Sequence, residues 1–485
     1  MIFPNGKSFP TIYKEKEKKM YLSMNNSGIS FEMLTKFANG TPINAPAGEL
    51  LAYDISTDTR TAKKGDFFVA LRGENFDGHR FLANAENAGC VFSVVEAVPE
   101  GCKMPCIVVD DTTKALGRIA KAYKGLFHTI SLAVTGSVGK TTTKEFIYSV
   151  LSTKHKTNVT KGNFNNEIGL PLTLFGLTAE HRALLVEMGM NHKGEISALS
   201  EIAEPDISVI TTIGTSHIEH LGSRENIRDA KMEIIDGMKP GGILILNGDE
   251  PLLRDVNTNG ICKIYVGMGD NATYKAENIR AMDDHTLFDI RLHDGEIMND
   301  VCIRTLGTHN VMNALVACVC GILLGISEEK IREGLLTFTP AAMRQHFIEK
   351  DGYTVIEDCY NASPESMKAG LEVLCHTAKT KALRPVAVLG DMLELGKVSE
   401  EAHRSVGERV AKAGVAHLVT YGKAAKHIAR GARENGMDEK SITILESDVE
   451  AQETAEHVRA VIQKGDVVLF KASRAMALER IVNLL

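Results

Sequence analysis

The sequence predicts an α/β protein of three domains: a small N-terminal α/β unit, a central doubly wound parallel sheet carrying a phosphate-binding loop (P-loop), and a C-terminal Rossmann-like unit. Three observations predict this. An apolar run at 130–134 passes through the Gly-rich turn Thr135-Gly-Ser-Val-Gly-Lys-Thr-Thr142 into Lys144-Glu-Phe-Ile-Tyr-Ser-Val-Leu151, whose apolar residues have helical spacing. Apolar runs then alternate with helical stretches to about residue 337, and a second alternation begins at 339. The length, 485 residues, suits about three domains.

Composition narrows the function classes. At 44% hydrophobic and 24% charged, the chain can fill several cores and is not globally disordered. A net charge of −7, with no sustained basic stripe, argues against a nucleic-acid partner. The nine cysteines are odd in number and scattered, which suits reduced thiols better than a disulfide frame. The charged run Lys14-Glu-Lys-Glu-Lys-Lys19 leads into no apolar signal core. The most apolar stretch, 311–326, is shorter than the roughly 20 residues of a membrane span and contains Asn313, so it reads as a buried helix. A cytoplasmic protein with no membrane insertion is expected.

Taken in order, residues 1–28 read as an N-terminal extension. Residues 29–128 form the small α/β unit. It holds Asp54-Ile-Ser-Thr-Asp-Thr-Arg60, a strand at 66–71, the turn Arg72-Gly-Glu-Asn-Phe-Asp-Gly-His79, a helix at 80–88 and a strand near 106–109. Residues 129–338 form the central unit, with strands expected at 183–188, 207–213 and 242–246. Residues 339–485 form the third, with strands at 353–357, 386–389, 418–421 and 467–470. The third unit lacks a Gly-x-Gly-x-x-Gly turn, so no dinucleotide is expected there.

In a doubly wound sheet, ligands sit beyond the strand C-termini, so the residues after each strand carry the chemistry. Gly136, Ser137, Val138, Gly139, Lys140, Thr141 and Thr142 form the loop, whose N–H groups and helix N-terminus face an anion. Lys140 can reach the β/γ-phosphates and the Thr141 hydroxyl can hold Mg²⁺. One departure is Val134, where the general pattern has Gly. A nucleoside triphosphate is expected. Glu187 ends the strand in Ala183-Leu-Leu-Val-Glu-Met-Gly-Met-Asn191, where a carboxylate can hold Mg²⁺ or simply face solvent. His217 follows the next strand, as a ligand or as a structural histidine. On spacing alone Lys231 reads as a helix-surface lysine. Asn163, Asn165 and Asn166, in Lys161-Gly-Asn-Phe-Asn-Asn-Glu-Ile-Gly-Leu-Pro171, offer amides to a polar ligand or close a plain turn.

From about residue 29 to its C-terminus the chain resembles the Mur ligases. Asn163-Phe-Asn-Asn-Glu-Ile-Gly-Leu-Pro171, Glu187-Met-Gly-Met-Asn191 and Gly390-Asp-Met-Leu-Glu-Leu-Gly396 look like the D-alanyl-D-alanine-adding branch. The resemblance implies a UDP-binding first domain, a central ATPase and a Rossmann-like third domain, acting as a monomer. It implies ATP-driven addition of D-alanyl-D-alanine to UDP-N-acetylmuramoyl-tripeptide, with two Mg²⁺ ions and closure of the domains over 338–344. Under it Lys140, Lys231, His217 and Arg344 are catalytic. Thr141, Glu187, His217 and a carbamoylated Lys231 hold metal. Asn310 lies near adenine, Arg344 by the γ-phosphate and Asp358 on the ribose side. Ser56, Thr57, Asp58, Arg60, Asp77 and His79 lie at the uridine nucleotide, although loop chemistry alone explains them as well. Asn163, Asn165, Asn166 and Asn361 face substrate.

Two departures fall on the C-terminal side. The family's Asp-Ser-Tyr-Asn-Ala-Asn-Pro is here Asp358-Cys-Tyr-Asn-Ala-Ser-Pro364, and its Lys-Gly-Ser-Arg is Lys471-Ala-Ser-Arg474. Ala for Gly requires a negative φ or room for a methyl group. Both changes bear on the second substrate more than on ATP. Competing readings are a folylpolyglutamate synthase, against which the separate N-terminal unit argues, and a P-loop GTPase switch, which would need an Asn-Lys-x-Asp motif that the chain lacks. A paralogue that is inactive or takes another dipeptide is a third.

Overall fold

The computed structural model describes residues 28–73, 76–446 and 450–485. The expected extension, apart from Gly28, and residues 74–75 of the Arg72–His79 turn lie outside the described residues.

The N-terminal sheet has five strands: β1 (Thr41–Ile43), β2 (Asp54–Ser56), β3 (Asp66–Val69), β4 (Phe92–Val95) and β5 (Cys106–Val108), in the order β1-β5-β4-β3-β2. All neighbours are parallel except β1 and β5. The helix expected at 80–88 begins as a 3₁₀ turn, Gly78–Phe81, capped by the Asp77 carboxylate, and becomes α-helical over Leu82–Ala88.

The central sheet contains β6 (Ile130–Thr135), β7 (Thr157–Val159), β8 (Ala183–Glu187), β9 (Ile207–Ile210), β10 (Ile243–Asn247), β11 (Cys262–Gly267), β12 (Tyr274–Ala281), β13 (Thr286–Arg291) and β14 (Ile297–Ile303). Their order is β7-β8-β6-β9-β10-β11-β12-β13-β14. Strands β6, β8 and β9 are buried at every residue, because both faces of a parallel sheet are covered. The register pairs Val134 with Glu187 and Thr135 with Ile210. The phosphate loop, the Glu187 carboxylate and the turn after Ile210 therefore leave the sheet at one edge.

The parallel alternation stops at β12. Strands β12, β13 and β14 form an antiparallel meander on the far edge. Short turns explain it: Met282 N–H donates to His285 O at 2.9 Å between β12 and β13, and between β13 and β14 Gly295 has φ +89°, so neither connection leaves room for a crossover helix.

Two helices, α1 (Lys140–Ser152) and α2 (Thr308–Leu323), cover one face of the central sheet. At 338 the Phe338 ring stacks on Phe146 of α1, with centroids 3.6 Å apart and planes 8° apart. The opposite face shares a continuous core with the N-terminal domain. Phe67 meets Phe175 edge to face, and the buried Tyr123 hydroxyl donates to Leu177 O at 2.8 Å.

The C-terminal sheet comprises β15 (His346–Glu349), β16 (Thr354–Glu357), β17 (Arg384–Gly390), β18 (His417–Tyr421), β19 (Ile442–Leu445) and β20 (Asp466–Lys471), in the order β15-β16-β20-β17-β18-β19. Only β15 is antiparallel to its neighbour. Helix α3 (Pro364–Thr380) packs on one face. All nine cysteines are free thiols. Among the described residues, no helix is long and apolar enough to cross a membrane.

Ala472 follows β20 and is fully buried, and it is not among the described residues with positive φ. Its methyl group fills the space left by Gly390: a Cβ on Gly390 would lie 2.7 Å from Ala472 Cβ and 3.1 Å from Tyr421 O. Gly390→Ala should therefore cost about 1–3 kcal/mol through overpacking. Adding Ala472→Gly should recover most of the loss, and thermal denaturation of the single and double variants measures both.

Candidate active site

The phosphate loop is held by its glycines and by Thr211. Gly136 has φ +147°, and a Cβ there would meet Thr211 Oγ1 at 1.9 Å. Gly139, at φ +89°, turns the chain into α1. The Thr211 hydroxyl donates to Val138 O at 2.6 Å, which ties the loop to the end of β9. Lys140 Nζ donates back to Gly136 O at 2.8 Å, and the buried Ser137 hydroxyl has no partner. Residues Ser137 to Thr142 line one side of a cleft of about 550 Å³. The positive end of the α1 dipole opens into it, as an anion site requires.

Glu187 closes β8 and is 3% exposed. Asn165 Nδ2 donates to its Oε1 at 3.0 Å, and its own N–H donates to Thr160 Oγ1 at 3.0 Å. Oε2 is buried with no hydrogen-bond partner. A buried, unpaired carboxylate oxygen in a cleft lined by Thr141 and His217 fits a divalent cation. Among the described residues, no three His, Cys, Asp or Glu side chains cluster as a metal cage. A cation here would need hydroxyl, water and phosphate oxygens as well.

His217 sits in the left-handed region, at φ 64°. Its imidazole pKa is lowered by burial first, opposed by the Glu394 carboxylate and reinforced by Lys140 and Lys231. Lys231 lies on the helix Arg224–Met232 and is 1% exposed, not the surface lysine its spacing suggests. Among the described residues it has no carboxylate within ion-pair distance. Burial, then the neighbouring Lys140, hold its pKa well below that of an ordinary lysine. Burial likewise lowers that of Lys140, partly offset by Glu187.

The C-terminal domain supplies the facing wall. Arg344 Nη2 donates to Thr141 Oγ1 at 3.1 Å, and its guanidinium lies 4.3 Å from the centroid of the Tyr360 ring. Its neighbours Met343 and Gln345 have φ of 59° and 47°. Asn310 is buried and donates to Leu306 O and to Gln345 Oε1, both at 2.8 Å. Asp358 accepts from the buried Lys471 Nζ at 2.6 Å. Asn361, Asn165 and Asn166 line the cleft. Gln345, Lys471, Glu365 and Thr211 also line it. Lys471 falls within a motif quoted above and Thr211 within the strand expected at 207–213, whereas nothing in the sequence marks Gln345 or Glu365.

The N-terminal candidates do not line this cleft. Ser56 Oγ donates to Asp58 O at 2.9 Å, and Arg60 Nη2 donates to the Asp58 carboxylate at 2.6 Å. Thr57 lies between them. His79 Nδ1 is 2.7 Å from Asp77 Oδ1, and its Nε2 accepts from Glu96 N–H at 2.8 Å, so both ring nitrogens are engaged. Asn163 is exposed and also lies outside the cleft lining.

Comparison with known proteins identifies the architecture. Residues 52–124 match the Mur ligase family catalytic domain, 134–321 the Mur ligase middle domain, and 343–474 the Mur ligase glutamate ligase domain. The UDP-N-acetylmuramoyl-tripeptide–D-alanyl-D-alanine ligase of Bacillus subtilis (strain 168) is 40% identical over 457 residues, covering 93% of this chain and 96% of that one. The chain belongs to the Mur ligase family. The enzyme of the same name from Escherichia coli (strain K12) is 32% identical, with 94% of this Mur ligase and 98% of that protein covered. The crystal structure of MurF from Acinetobacter baumannii superposes with a TM-score of 0.84 at 31% identity, covering 94% and 99% of the two chains. MurF from Thermotoga maritima, solved in complex with ADP, gives 0.78 at 29% identity, covering 89% and 96%.

Gly136→Ala places a methyl group against Thr211 in a backbone conformation that alanine rarely adopts. Titration calorimetry should show ADP affinity weakened by at least about tenfold, with the melting temperature changed far less than binding.

Proposed function

We propose that this Mur ligase adds D-alanyl-D-alanine to UDP-N-acetylmuramoyl-tripeptide, consuming ATP and releasing ADP and phosphate, as a cytoplasmic monomer in peptidoglycan precursor synthesis. The observation that carries the reading is one cleft lined both by the phosphate loop and by Arg344, Asp358 and Asn361 of the C-terminal domain. The near full-length similarity to ligases of that name supports the choice of substrates. Domain limits of 29–128, 129–338 and 339–485 accompany the proposal.

A carboxylate is a poor acyl donor. In the proposed reaction the tripeptide carboxylate oxygen attacks the γ-phosphorus, ADP leaves, and an acyl phosphate forms. The dipeptide amine then attacks the acyl carbon, phosphate departs, and the amine loses its proton as the amide forms. Lys140 holds the β- and γ-phosphates, and Arg344, beside Thr141, neutralises charge on the transferring group. Asn310 and Asp358 hold adenine and ribose. Asn165, Asn166 and Asn361 orient the substrates, with Asn163 at the outer lip. Ser56, Thr57, Asp58, Arg60, Asp77 and His79 shape the uridine end. Two Mg²⁺ ions, held by Thr141, Glu187, His217 and a carbamate on Lys231, would supply further positive charge at the phosphates.

The state of Lys231 follows from its surroundings. A protonated amine here would be a buried cation near Lys140 with no carboxylate acting on it. A neutral amine can take up CO₂ with loss of a proton, and the resulting carbamate is an anion that suits Lys140 and a cation. The depressed pKa keeps the neutral, reactive form present at lower pH than for a free lysine.

Two measurements test the reading. Phosphate release should require both UDP-N-acetylmuramoyl-tripeptide and D-alanyl-D-alanine, with a pentapeptide product by mass spectrometry. Release indifferent to the dipeptide contradicts the proposed second substrate. Lys231→Ala should lower kcat by about 10²–10³, the scale of one lost electrostatic group. Carbon-13 NMR should show a carbamate resonance in the wild type that is missing from the variant and fades as pH falls and the amine protonates.

A further inference from the structure

The turn that carries His217 is gripped from the other domain. Thr215 N–H donates to Glu365 Oε1 at 3.0 Å, and its hydroxyl lies 3.2 and 3.3 Å from the two carboxylate oxygens. A Cβ on Gly214 would stand 2.9 Å from the Glu365 carboxylate carbon, so a side chain there would push the carboxylate off the turn. Two residues further on, His217 Nδ1 lies 2.5 Å from Glu394 Oε2. Glu219 N–H donates to Glu394 O at 3.2 Å. Glu219 also packs on Gly396, where a Cβ would come within 3.2 Å. Glu365 and Glu394 belong to the C-terminal domain, while 214–219 belongs to the central one. Glu365 sits in the first turn of α3, whose dipole favours its charge. Glu394 is itself held in the left-handed region, at φ 61°, like His217 at φ 64°. Two non-glycine residues in that region, facing each other across a domain boundary, persist only where their contacts hold them.

We propose that Glu365 and Glu394 form an interdomain clamp on the 214–219 turn, in which Glu394 is a positioning residue that sets the His217 ring only when the C-terminal domain is docked. The clamp deepens the proposed function and rests on it where it assigns His217 to the ATP-handling site. Its consequence is that docking and completion of the site are one event. An undocked enzyme leaves His217 without its carboxylate and free to turn, so it binds ATP on the phosphate loop without carrying the reaction forward. A carboxylate that orients a ring nitrogen is the usual outer support of a functional histidine.

The test compares Glu394→Ala, Glu394→Gln and Glu365→Gln with the wild type. Glu394→Gln keeps an acceptor of the same reach, and melting temperatures verify that each variant folds. Glu394→Ala should lower kcat by about tenfold, the scale of one lost close contact to a charged group, and leave the KM for ATP within about twofold. Glu394→Gln should recover part of the loss. Small-angle X-ray scattering with a non-hydrolysable ATP analogue should give a larger radius of gyration for Glu394→Ala and for Glu365→Gln than for the wild type. Unchanged scattering and unchanged kcat in Glu394→Ala overturn the clamp. A raised KM for ATP with unchanged kcat also overturns it, because it would place Glu394 in nucleotide binding. A wild type that forms no pentapeptide refutes the functional reading instead, and the scattering comparison still decides the clamp.

Discussion

The structure turns on buried positive charge. Lys140 lines the cleft, half-buried, and Lys231 is fully buried near it, with Glu187 acting on Lys140 and no carboxylate acting on Lys231. Arg344 adds a third cation from the other domain. Such an arrangement is costly in the absence of anions, because desolvation weakens the charged forms and like charges repel. It becomes favourable when phosphate oxygens enter. The unpartnered Ser137 hydroxyl and Glu187 Oε2 follow the same logic, since both await a partner that the chain does not supply.

Holding like charges together requires a scaffold that does not relax, and the packing of the domains is unequal in the way this demands. The N-terminal and central domains share one apolar core through Phe67, Tyr123 and Phe175, so the floor of the site is rigid. The C-terminal domain has cores on both faces of its own sheet, joined from the central side chiefly by Leu306 and Ile218. Its contacts across the cleft are otherwise polar: Arg344 to Thr141, Glu365 to Thr215, Glu394 to His217. Polar contacts exchange with water at little net cost, whereas opening an apolar core does not. The boundary between the central and C-terminal domains is the one without a continuous core.

Much of this was legible in the sequence. Strands β6, β8 and β9 are buried on both faces, so they read as unbroken apolar runs, and the sheet rule placed the loop, Glu187 and His217 at one edge. The meander at β12 to β14 was not legible as part of the same sheet, because exposed polar residues interrupt β12 and β14 and leave no unbroken apolar run. Lys231 was misread on spacing for a related reason. Its helix buries only Ile227, Ala230 and Lys231, and a lysine on so short an inner face looks like part of the outer one. Gln345 carried no signal at all. It matters because a strained backbone at its position brings its amide between His309 and Asn310, and that depends on tertiary packing.

The departures from the family motifs resolve in the same physical terms. Cys359 is fully buried among Val355, Val388 and Phe470, and burial pushes its thiol up to about 12, so it packs and does not react. Ser363 replaces an asparagine at the start of α3, and both residues cap helices well. Its hydroxyl accepts from Ser366 N–H at 3.3 Å while Ser366 Oγ accepts from Ser363 N–H at 2.9 Å, a reciprocal cap that fixes the side chain. Ala472 fills the space above Gly390. Of the three, Ser363 alone lines the cleft, with its hydroxyl oriented by the cap. In the proposed reaction, dipeptide preference would rest on the side chains that line the cleft from this domain, Asn361, Ser363 and Glu365 among them.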